Sequence, residues 1–366
     1  MTVRLMSNRM SGMRAPVDGH IQKPSSETLK PFKIQTLAAD ALKIKSKIRD
    51  LCYNCTGSRL LVACRDSISV VDTHTLTLHS VLAVRCVKIL RHPSDANVFA
   101  VLVMEGSEKP RPCIKIYTLS NFSGVNPQLQ CTIWSAFDDG WYSASWSLDG
   151  TTIAVIDRGD RLQRIDVKTL RDTQLKQDDA MLLSSEVYGV IYTRDALVVQ
   201  KVDGRIEIFS LDFSKSVLEQ AHSHIVLATD YNDERDLLAT GGSDHIIHVF
   251  SCGDDYTCIG TYPGLEGKVS SLSFSFDGMF LAWGTKDTMF GTAEAPNASA
   301  EGSSEEEYFL TVGGTNPCEI YTQHLMPTAV THVEFAPDSY TLAYACDLDT
   351  MPKNSGSSGF IGLIRL

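Results

Sequence analysis

One pattern recurs along this chain and limits the folds that it can adopt. Its clearest copy, Ile225 to Phe250, combines a β-rich apolar segment, a polar turn, a second apolar strand, the turn Gly-Gly-Ser-Asp and a third, alternating strand. Seven copies fit this template, beginning near residues 48, 86, 141, 187, 226, 269 and 330. Each copy supplies one small sheet, and neighbouring sheets must bury each other's apolar faces.

The spacing of the copies selects the architecture. The shorter intervals lie near the roughly 40 to 45 residues of a four-stranded WD-type blade. The longer intervals contain polar insertions at 105–112, 121–128 and 286–307. We therefore predict an all-β fold, a seven-bladed WD40 β-propeller, over residues 32–366. A large β-sandwich or barrel is the alternative, and the number of repeats favours the propeller.

The segments outside the repeats have distinct compositions. Residues 1–31 are rich in Met, Ser, Pro and Gly with a slight basic excess, which predicts a flexible tail. That tail is either a solvated terminus or a contact for a partner or RNA. Phe32 to Leu37 has strand character, and we expect it to close the ring as the outer strand of the seventh blade. Residues 288–307 have the composition of a disordered, acidic loop.

Most of the dipeptides that mark WD repeats are absent. The positions of the Trp-Asp that ends a third strand hold Val71-Asp72, Ile165-Asp166, Phe209-Ser210 and Phe250-Ser251. The turn aspartate is present as Asp244, and in WD propellers this residue joins a hydrogen-bonded network with a histidine and a Ser or Thr. His222 and His224 are both candidates for that histidine. We assign Asp244 a structural role in its turn rather than a catalytic one.

Charge and cysteine usage limit the partners. The chain has 44 acidic and 33 basic residues, giving a net charge of −11. Strong nucleic-acid binding requires clustered Lys and Arg, so contact with RNA is expected to be weak or indirect. The ten cysteines are scattered, and Cys52 and Cys55 form a CxxC without a second pair, so neither a zinc site nor a disulfide framework is predicted. Apolar runs such as Val98 to Val103 are too short to cross a bilayer, which predicts an intracellular protein without a membrane partner.

Motifs that carry chemistry are missing from the sequence. It has no Gly-rich phosphate loop before a helix, no nucleophile elbow and no HExxH. Its acidic and histidine residues are scattered over predicted turns. We therefore predict no enzymatic activity, no catalytic residues, no metal, no cofactor and no small-molecule substrate.

The residue after the first anchor of each inner strand is predicted to point toward the mouth of the central channel. A ring of aromatic and Arg residues there is typical of a propeller that binds a peptide. Arg49, Tyr142 and Tyr188 are therefore candidate partner-binding residues. The small or apolar members fit a plain channel lining as well. The seven positions are Arg49, Val87, Tyr142, Tyr188, Leu227, Ser270 and Thr331.

Several segments resemble the THO complex WD-repeat subunit 3 family, the propeller subunit of the TREX transcription–export assembly. The last three blades carry the likeness in LLATGGSDHIIHVF, VSSLSFSFDGMFLAWGTKD and VTHVEFAPDSYTLAYACD, with the terminal GFIGLIRL. RHPSDANVFAV and SWSLDGTTIAVIDRGDRLQRIDVKT are similar to its second and third blades. The likeness extends over about residues 46–366 and is looser in the first two blades. The missing Gly-His and Trp-Asp dipeptides and the acidic insertion depart from the family.

The resemblance implies a nuclear, non-enzymatic scaffold that docks onto other protein subunits of a THO/TREX-like complex. Such a subunit would help to couple transcription to mRNA packaging and nuclear export. The alternative is a peptide-reading WD40 adaptor of a ubiquitin ligase, a chromatin complex or another RNA-processing complex. The two differ in whether a partner is held mainly on the faces and rim of the disc or inside the central channel.

Overall fold

Seven antiparallel sheets of four strands each form the fold in a computed structural model, which confirms the predicted seven-bladed β-propeller. The structure describes residues 33–37, 47–106, 108–169, 175–214, 216–286, 308–315, 318–326, 328–346 and 360–366. The predicted tail at 1–31 and the predicted acidic loop at 288–307 lie outside the described residues. In the described part of the chain, no helix has the length and apolar character of a membrane span.

The strands follow the blades in chain order, after an N-terminal strand β1 (Lys33–Leu37). Blade 1 contains β2 (Asp50–Tyr53), β3 (Arg59–Ala63), β4 (Ile68–Asp72) and β5 (Thr77–Leu82). Blade 2 contains β6 (Cys86–Arg91), β7 (Val98–Glu105), β8 (Arg111–Thr118) and β9 (Gln128–Trp134). Blade 3 contains β10 (Trp141–Trp146), β11 (Thr152–Asp157), β12 (Arg161–Asp166) and β13 (Ala180–Leu182). Blade 4 contains β14 (Val187–Tyr192), β15 (Ala196–Lys201), β16 (Arg205–Ser210) and β17 (Ser216–Gln220).

Blade 5 contains β18 (Val226–Asn232), β19 (Leu237–Gly242), β20 (Ile247–Ser251) and β21 (Thr257–Tyr262). Blade 6 contains β22 (Lys268–Phe274), β23 (Phe280–Lys286), β24 (Tyr308–Gly314) and β25 (Ile320–Met326). Blade 7 contains β26 (Val330–Phe335), β27 (Thr341–Cys346) and β28 (Phe360–Arg365), with β1 as its fourth strand. Short 3-10 turns occur at Gln177–Asp179 and Cys252–Asp254.

The N-terminal strand closes the ring. β1 pairs antiparallel with β28 from Lys33 opposite Arg365 to Leu37 opposite Ile361, which confirms the expected closure. Sheet order in blade 7 is therefore β1-β28-β27-β26, joining the two ends of the described chain. Without β1, the outer edge of β28 would present unpaired backbone groups to other chains.

The core lies between blades, because the middle strands of each blade are buried on both faces. On β3, Leu61 and Val62 are both fully buried although their side chains point to opposite sides of the sheet. Leu61 shares an apolar cluster with Phe99 of blade 2, and Val62 shares one with Ala343 of blade 7. Burial of each such side chain stabilises the fold by about 2 kcal/mol. This two-sided burial explains the continuous apolar runs of the second strands.

The second blade has longer strands than its sequence predicts. The polar insertion at 105–112 contributes to β7 and β8, where Met104 pairs with Pro112 and Glu105 with Arg111. A partly exposed ion pair supports the extension, since Lys115 Nζ donates to Glu105 Oε1 at 2.7 Å. Tertiary pairing therefore continues the ladder through a segment whose composition indicates a loop.

Side chains of the inner strands join successive blades. The first strand of each blade is a sheet edge, so some of its backbone N–H groups need partners outside the sheet. Oxygens on the preceding blade accept them in several places: Ile89 N–H donates to Asp50 at 2.6 Å, and Phe274 N–H donates to Asp230 at 2.7 Å. Ser273 accepts Phe335 N–H in the same way at 2.9 Å. Polar residues inside otherwise apolar strands are thus explained as links between blades.

Candidate partner-binding channel

A central channel of about 840 Å³ lies on the axis of the disc. Every inner strand contributes to its wall. The cavity spans the length of these strands, because its lining includes residues near their starts, such as Tyr142 and Ser270, and turn residues after their ends, such as Pro93 and Phe276. We call these the bulge end and the turn end of the channel. One lining residue from each blade, in order, is Asp50, Lys88, Ser143, Gly189, Asp230, Ser271 and Glu334.

The bulge end owes its shape to β-bulges. In six inner strands the pairing with the second strand skips one residue near the start of the strand. A bulge inserts an extra residue and changes the direction of its side chain. The six skipped residues coincide with positions that the repeat spacing selected for the channel mouth. They are Val87, Tyr142, Tyr188, Leu227, Ser270 and Thr331.

The three candidate partner-binding residues occupy different environments. Tyr142 and Tyr188 lie on neighbouring blades and both line the channel. Tyr142 is half-buried and its hydroxyl donates to the Val187 carbonyl at 2.6 Å, while Tyr188 is 40% exposed. Burial raises the pKa of both phenols, so both are neutral at physiological pH. Arg49 precedes β2, is exposed and lies outside the channel lining; its backbone N–H donates to Ala63.

A group of charged side chains lines the channel between its two ends, and the sequence-based search did not select it. We call Asp50, Lys88, Arg91, Asp230 and Glu334 the channel charge cluster. Arg91 of blade 2 donates through Nη1 to Glu334 Oε1 of blade 7 at 3.3 Å, a contact that passes blade 1. One feature of the sequence points to this cluster: a charged residue stands between apolar neighbours in an inner strand, as Glu334 does between Val333 and Phe335.

The environment of the cluster disfavours negative charge. Burial raises the pKa of Glu334 to about 8; Arg91 opposes this rise, and the neighbouring Asp230 and Asp50 add to it. Burial likewise raises the pKa of Asp230 to about 6, although the Phe274 N–H and Arg91 favour its ionised form. These side chains are half-buried: protein surrounds them, and solvent reaches them only through the channel. The channel therefore disfavours the ionised form of both carboxyl groups, and of Glu334 more than of Asp230.

Asp244 belongs to a separate network in blade 5. His222 Nδ1 lies 2.9 Å from Asp244 Oδ1, and His222 Nε2 lies 2.8 Å from Thr240 Oγ1. Because a carboxylate only accepts, Nδ1 carries the proton and Nε2 accepts from the Thr240 hydroxyl. Burial lowers the pKa of His222, which agrees with this neutral ring. His222 is therefore the histidine that bonds Asp244, whereas the exposed His224 contacts Ser223.

The same network explains a glycine in the turn. A Cβ at Gly242 would overlap both the Asp244 carboxylate and the His222 ring. The carboxylate also accepts the Ser223 N–H at 2.9 Å. This bond links the segment that precedes the first strand of blade 5 to the turn that precedes its third strand. Asp244 thus has its partners inside the blade and is absent from the channel lining.

Known proteins share parts of this architecture. Residues 208–251 match the WD domain, G-beta repeat family. Over 214 residues the chain is 23% identical to THO complex subunit 3 of Arabidopsis thaliana, covering 58% of this chain and 59% of that protein. The chain thus matches about three fifths of the length of this curated relative. The β-propeller domain of Myceliophteria thermophila Cps50 (Swd1) superimposes with a TM-score of 0.66, covering 92% of this chain and all of that domain, at 13% identity.

The two kinds of comparison establish different things. At 13% identity the structural match shows the propeller fold alone. The repeat match covers the end of β16 and all of β17 in blade 4 and the first three strands of blade 5. The chain is thus a seven-bladed β-propeller that contains a WD40 repeat at residues 208–251, and it resembles THO complex subunit 3 at low identity.

Proposed function

We propose that this protein is a non-enzymatic scaffold subunit of a nuclear THO/TREX-like complex that couples transcription to mRNA packaging and export. The observation that carries the proposal is the similarity to THO complex subunit 3 over 58% of the chain. A propeller is suited to such a role, because its rigid disc presents loops and outer strands to several partners at once. The partners are other protein subunits rather than a membrane or a small-molecule substrate.

The rim of the disc supports docking of protein partners. The fourth strands of five consecutive blades, 2 to 6, each carry an exposed apolar side chain. A protein docked on the rim would bury such side chains in its interface. They are Leu129 on β9, Leu182 on β13, Val217 and Leu218 on β17, Ile259 on β21 and Leu325 on β25.

The polar groups of the described residues support a structural role rather than catalysis. The most buried acid–histidine contact, between Asp244 and His222, is completed by Ser223 and Thr240 inside the blade. A general base must reach a bound substrate directly or through one water molecule. Asp244 and His222 face each other within the blade, so we assign no catalytic residue and no cofactor site.

RNA binding by the isolated protein is expected to be weak. The net charge of −11 repels the phosphate backbone, and the basic excess is confined to the start of the chain, in residues 1–31 and at Lys43, Lys45, Lys47 and Arg49. Contacts made by a few basic residues lose affinity steeply as salt rises. Binding to a 20-nucleotide RNA, measured by fluorescence anisotropy, should therefore be detectable only at low salt and disappear near physiological salt. Tight binding that survives 200 mM salt would contradict this view.

Affinity purification from nuclei tests the scaffold proposal. The tagged wild-type protein should recover large helical-repeat subunits and export factors. Leu218→Asp, which places a charge on the rim, should reduce that recovery, whereas Tyr188→Ala in the channel should not. Glu219→Gln on the same strand serves as the matched rim control. Absence of such subunits from the purified wild-type complex would remove the THO-like assignment.

A peptide-reading adaptor is the second candidate. Its supporting observation is the pair Tyr142 and Tyr188, which line the bulge end of the channel on neighbouring blades. Aromatic side chains at such a mouth provide rigid contact area at a low entropic cost. Recovery of a ubiquitin ligase or a histone-modifying enzyme, lost in Tyr142→Ala or Tyr188→Ala, would favour this candidate over the scaffold.

A further inference from the structure

We propose that a cleft between the outer strands of blades 5 and 6 binds an extended segment of a partner protein. An aromatic side chain of that segment enters the cleft, and a Lys or Arg next to it lies at the acidic rim. The residues of the cleft alone carry this proposal. Its test uses purified protein and synthetic peptides, so it stands or falls independently of membership in a THO-like complex.

The cleft is large enough for an aromatic side chain. Its volume of about 450 Å³ lies in the roughly 300–1,000 Å³ range of ligand-binding sites. One wall comes from the end of β21 and the loop at 263–266, and the other from β23, β24 and β25. Small side chains in these walls leave the space between the two blades unfilled. They are Thr261, Thr285 and Thr311.

Hydrogen bonds hold both walls in place. The Leu265 N–H donates to the His245 carbonyl at 3.0 Å, and His245 Nδ1 donates to the Leu265 carbonyl at 3.0 Å. On the other side, the Tyr262 hydroxyl donates to the Gly314 carbonyl, and a Cβ at Gly313 would overlap that hydroxyl. The cleft is therefore formed before a ligand arrives, which lowers the entropic cost of binding.

Apolar side chains line the accessible part of the cleft. Leu265, Phe309 and Ile320 are half-buried, so an incoming group can contact them. Tyr262 and Trp283 form the base beneath them and are 4% and 1% exposed. An aromatic side chain buries about 150–250 Å² when it is enclosed, more than a small aliphatic one, and gains most from such a site.

The apolar surface continues from the cleft onto the rim, which indicates a polypeptide ligand. Leu325 on β25 pairs with Phe309 on β24, and directly opposed residues project to the same face of a sheet. Leu325 is 65% exposed. An extended partner segment can cover both the cleft and Leu325, whereas a small molecule inside the cleft would leave Leu325 in water.

The charge at the rim selects a basic neighbour for the aromatic residue. Glu266 in the loop after β21 and Glu319 before β25 are exposed and line the cleft from opposite sides. Within the described part of the chain, no Lys, Arg or His lines it. Complementary charge across an interface speeds association and selects the partner. A Lys or Arg beside the aromatic residue provides that complement.

Synthetic peptides test the cleft on the full-length protein by ligand-observed NMR titration at pH 7.5. The main probe is acetyl-Leu-Gly-Phe-Lys-Gly-Leu-amide, whose Leu residues can reach Leu325 in either chain direction. Comparison peptides replace Phe-Lys by Phe-Glu or by Ala-Lys, and both should bind more weakly. Ile320→Ala and Glu319→Lys should each weaken binding of the Phe-Lys peptide by about tenfold.

Controls separate the cleft from the general surface and from misfolding. Glu108→Lys reverses an exposed charge in the β7–β8 turn, and Leu182→Ala removes an exposed apolar side chain from β13. Both variants should bind the Phe-Lys peptide as the wild type does. Circular dichroism and melting curves establish that each variant is folded. Glu319→Lys changes an exposed residue and provides the test if Ile320→Ala is unstable.

Other occupants of the cleft would give different results. Peptide binding only after residues 288–306 are replaced by a Gly-Ser link would assign the cleft to the chain's own segment. A dimer in analytical ultracentrifugation that Ile320→Ala dissociates would assign it to a second copy. Equal affinity for phenethylamine would assign it to a small aromatic cation. Each of these results overturns the proposal, as do absence of Phe-Lys binding, equal binding of the Phe-Glu peptide, and wild-type affinity in the folded cleft variants.

Discussion

Replacement of Asp244 by alanine isolates the energetic contribution of the network in blade 5. The Asp244 side chain is 5% exposed and that of His222 is fully buried. The carboxylate accepts from His222 Nδ1 and from the Ser223 N–H, each at 2.9 Å. In Asp244→Ala both donors lose their acceptor. The Ser223 residue is exposed, so water can replace one of these bonds, whereas the His222 N–H stays unpaired inside the blade.

The structure sets the size of the effect. An unsatisfied buried donor costs about 1–3 kcal/mol, and the rehydrated Ser223 N–H adds less than that. We therefore expect Asp244→Ala to lower the free energy of unfolding by about 2–3 kcal/mol at pH 7. Thr240→Val removes only the hydroxyl that donates to His222 Nε2, and should cost about 1 kcal/mol.

The pH dependence provides an internal check. Burial alone would raise the pKa of Asp244, but His222 and the Ser223 N–H more than offset this, and the pKa lies below the unfolded value of 3.8. The ionised carboxylate therefore stabilises the folded state at pH values above 3.8, and this contribution is lost as pH falls through the folded-state pKa. The difference between wild type and Asp244→Ala should narrow below about pH 4.

Urea unfolding followed by tryptophan fluorescence measures these differences. Asp203→Ala is the matched control, because Asp203 occupies the corresponding turn of blade 4, is exposed, and pairs with Arg205. Exposed ion pairs contribute about 0–1 kcal/mol, so this variant should stay close to wild type. Equal destabilisation by Asp203→Ala and Asp244→Ala would refute the assignment of the energy to the buried network.

Three further predictions concern closure, the insertion and the channel. Deletion of residues 1–31 should leave the melting temperature nearly unchanged. Deletion of residues 1–44 also removes β1 and should cause aggregation or non-cooperative melting. Equal melting of the two truncated proteins would exclude closure of the ring by β1. Replacement of residues 293–305 by a Gly-Ser link should preserve the fold, and the variant should elute as a monomer in size-exclusion chromatography. Loss of the monomer peak would contradict the prediction that the fold does not need this insertion. The pKa of Glu334 is about 8 in the folded chain and 4.5 in the unfolded chain, so between these values the unfolded chain releases this proton first and the folded state loses stability as pH rises. Glu334→Gln should therefore gain stability over wild type across that window, and a difference that does not change with pH would disprove this assignment.

The repeat pattern was sufficient to predict the architecture of this protein. Strand alternation and turn residues are local properties, so seven copies of one pattern specified seven blades, and the strand-like segment near Leu37 indicated how the ring closes. The spacing also selected Tyr142 and Tyr188 for the channel mouth, and the structure has a β-bulge at each of these positions. In blade 1 the same rule selected Arg49, which precedes the strand and lies outside the channel lining.

The contacts inside the channel and blades were decided only by the tertiary structure. Arg91 and Glu334 are 243 positions apart and meet because closure brings blade 7 next to blade 1. The choice between His222 and His224 as the partner of Asp244 depends on which ring points into the blade. No local pattern encodes such distances. A charged residue in an inner strand has the same sequence neighbours whether it links two blades, lines an empty channel or meets a ligand. Only the closed ring places these groups around one cavity.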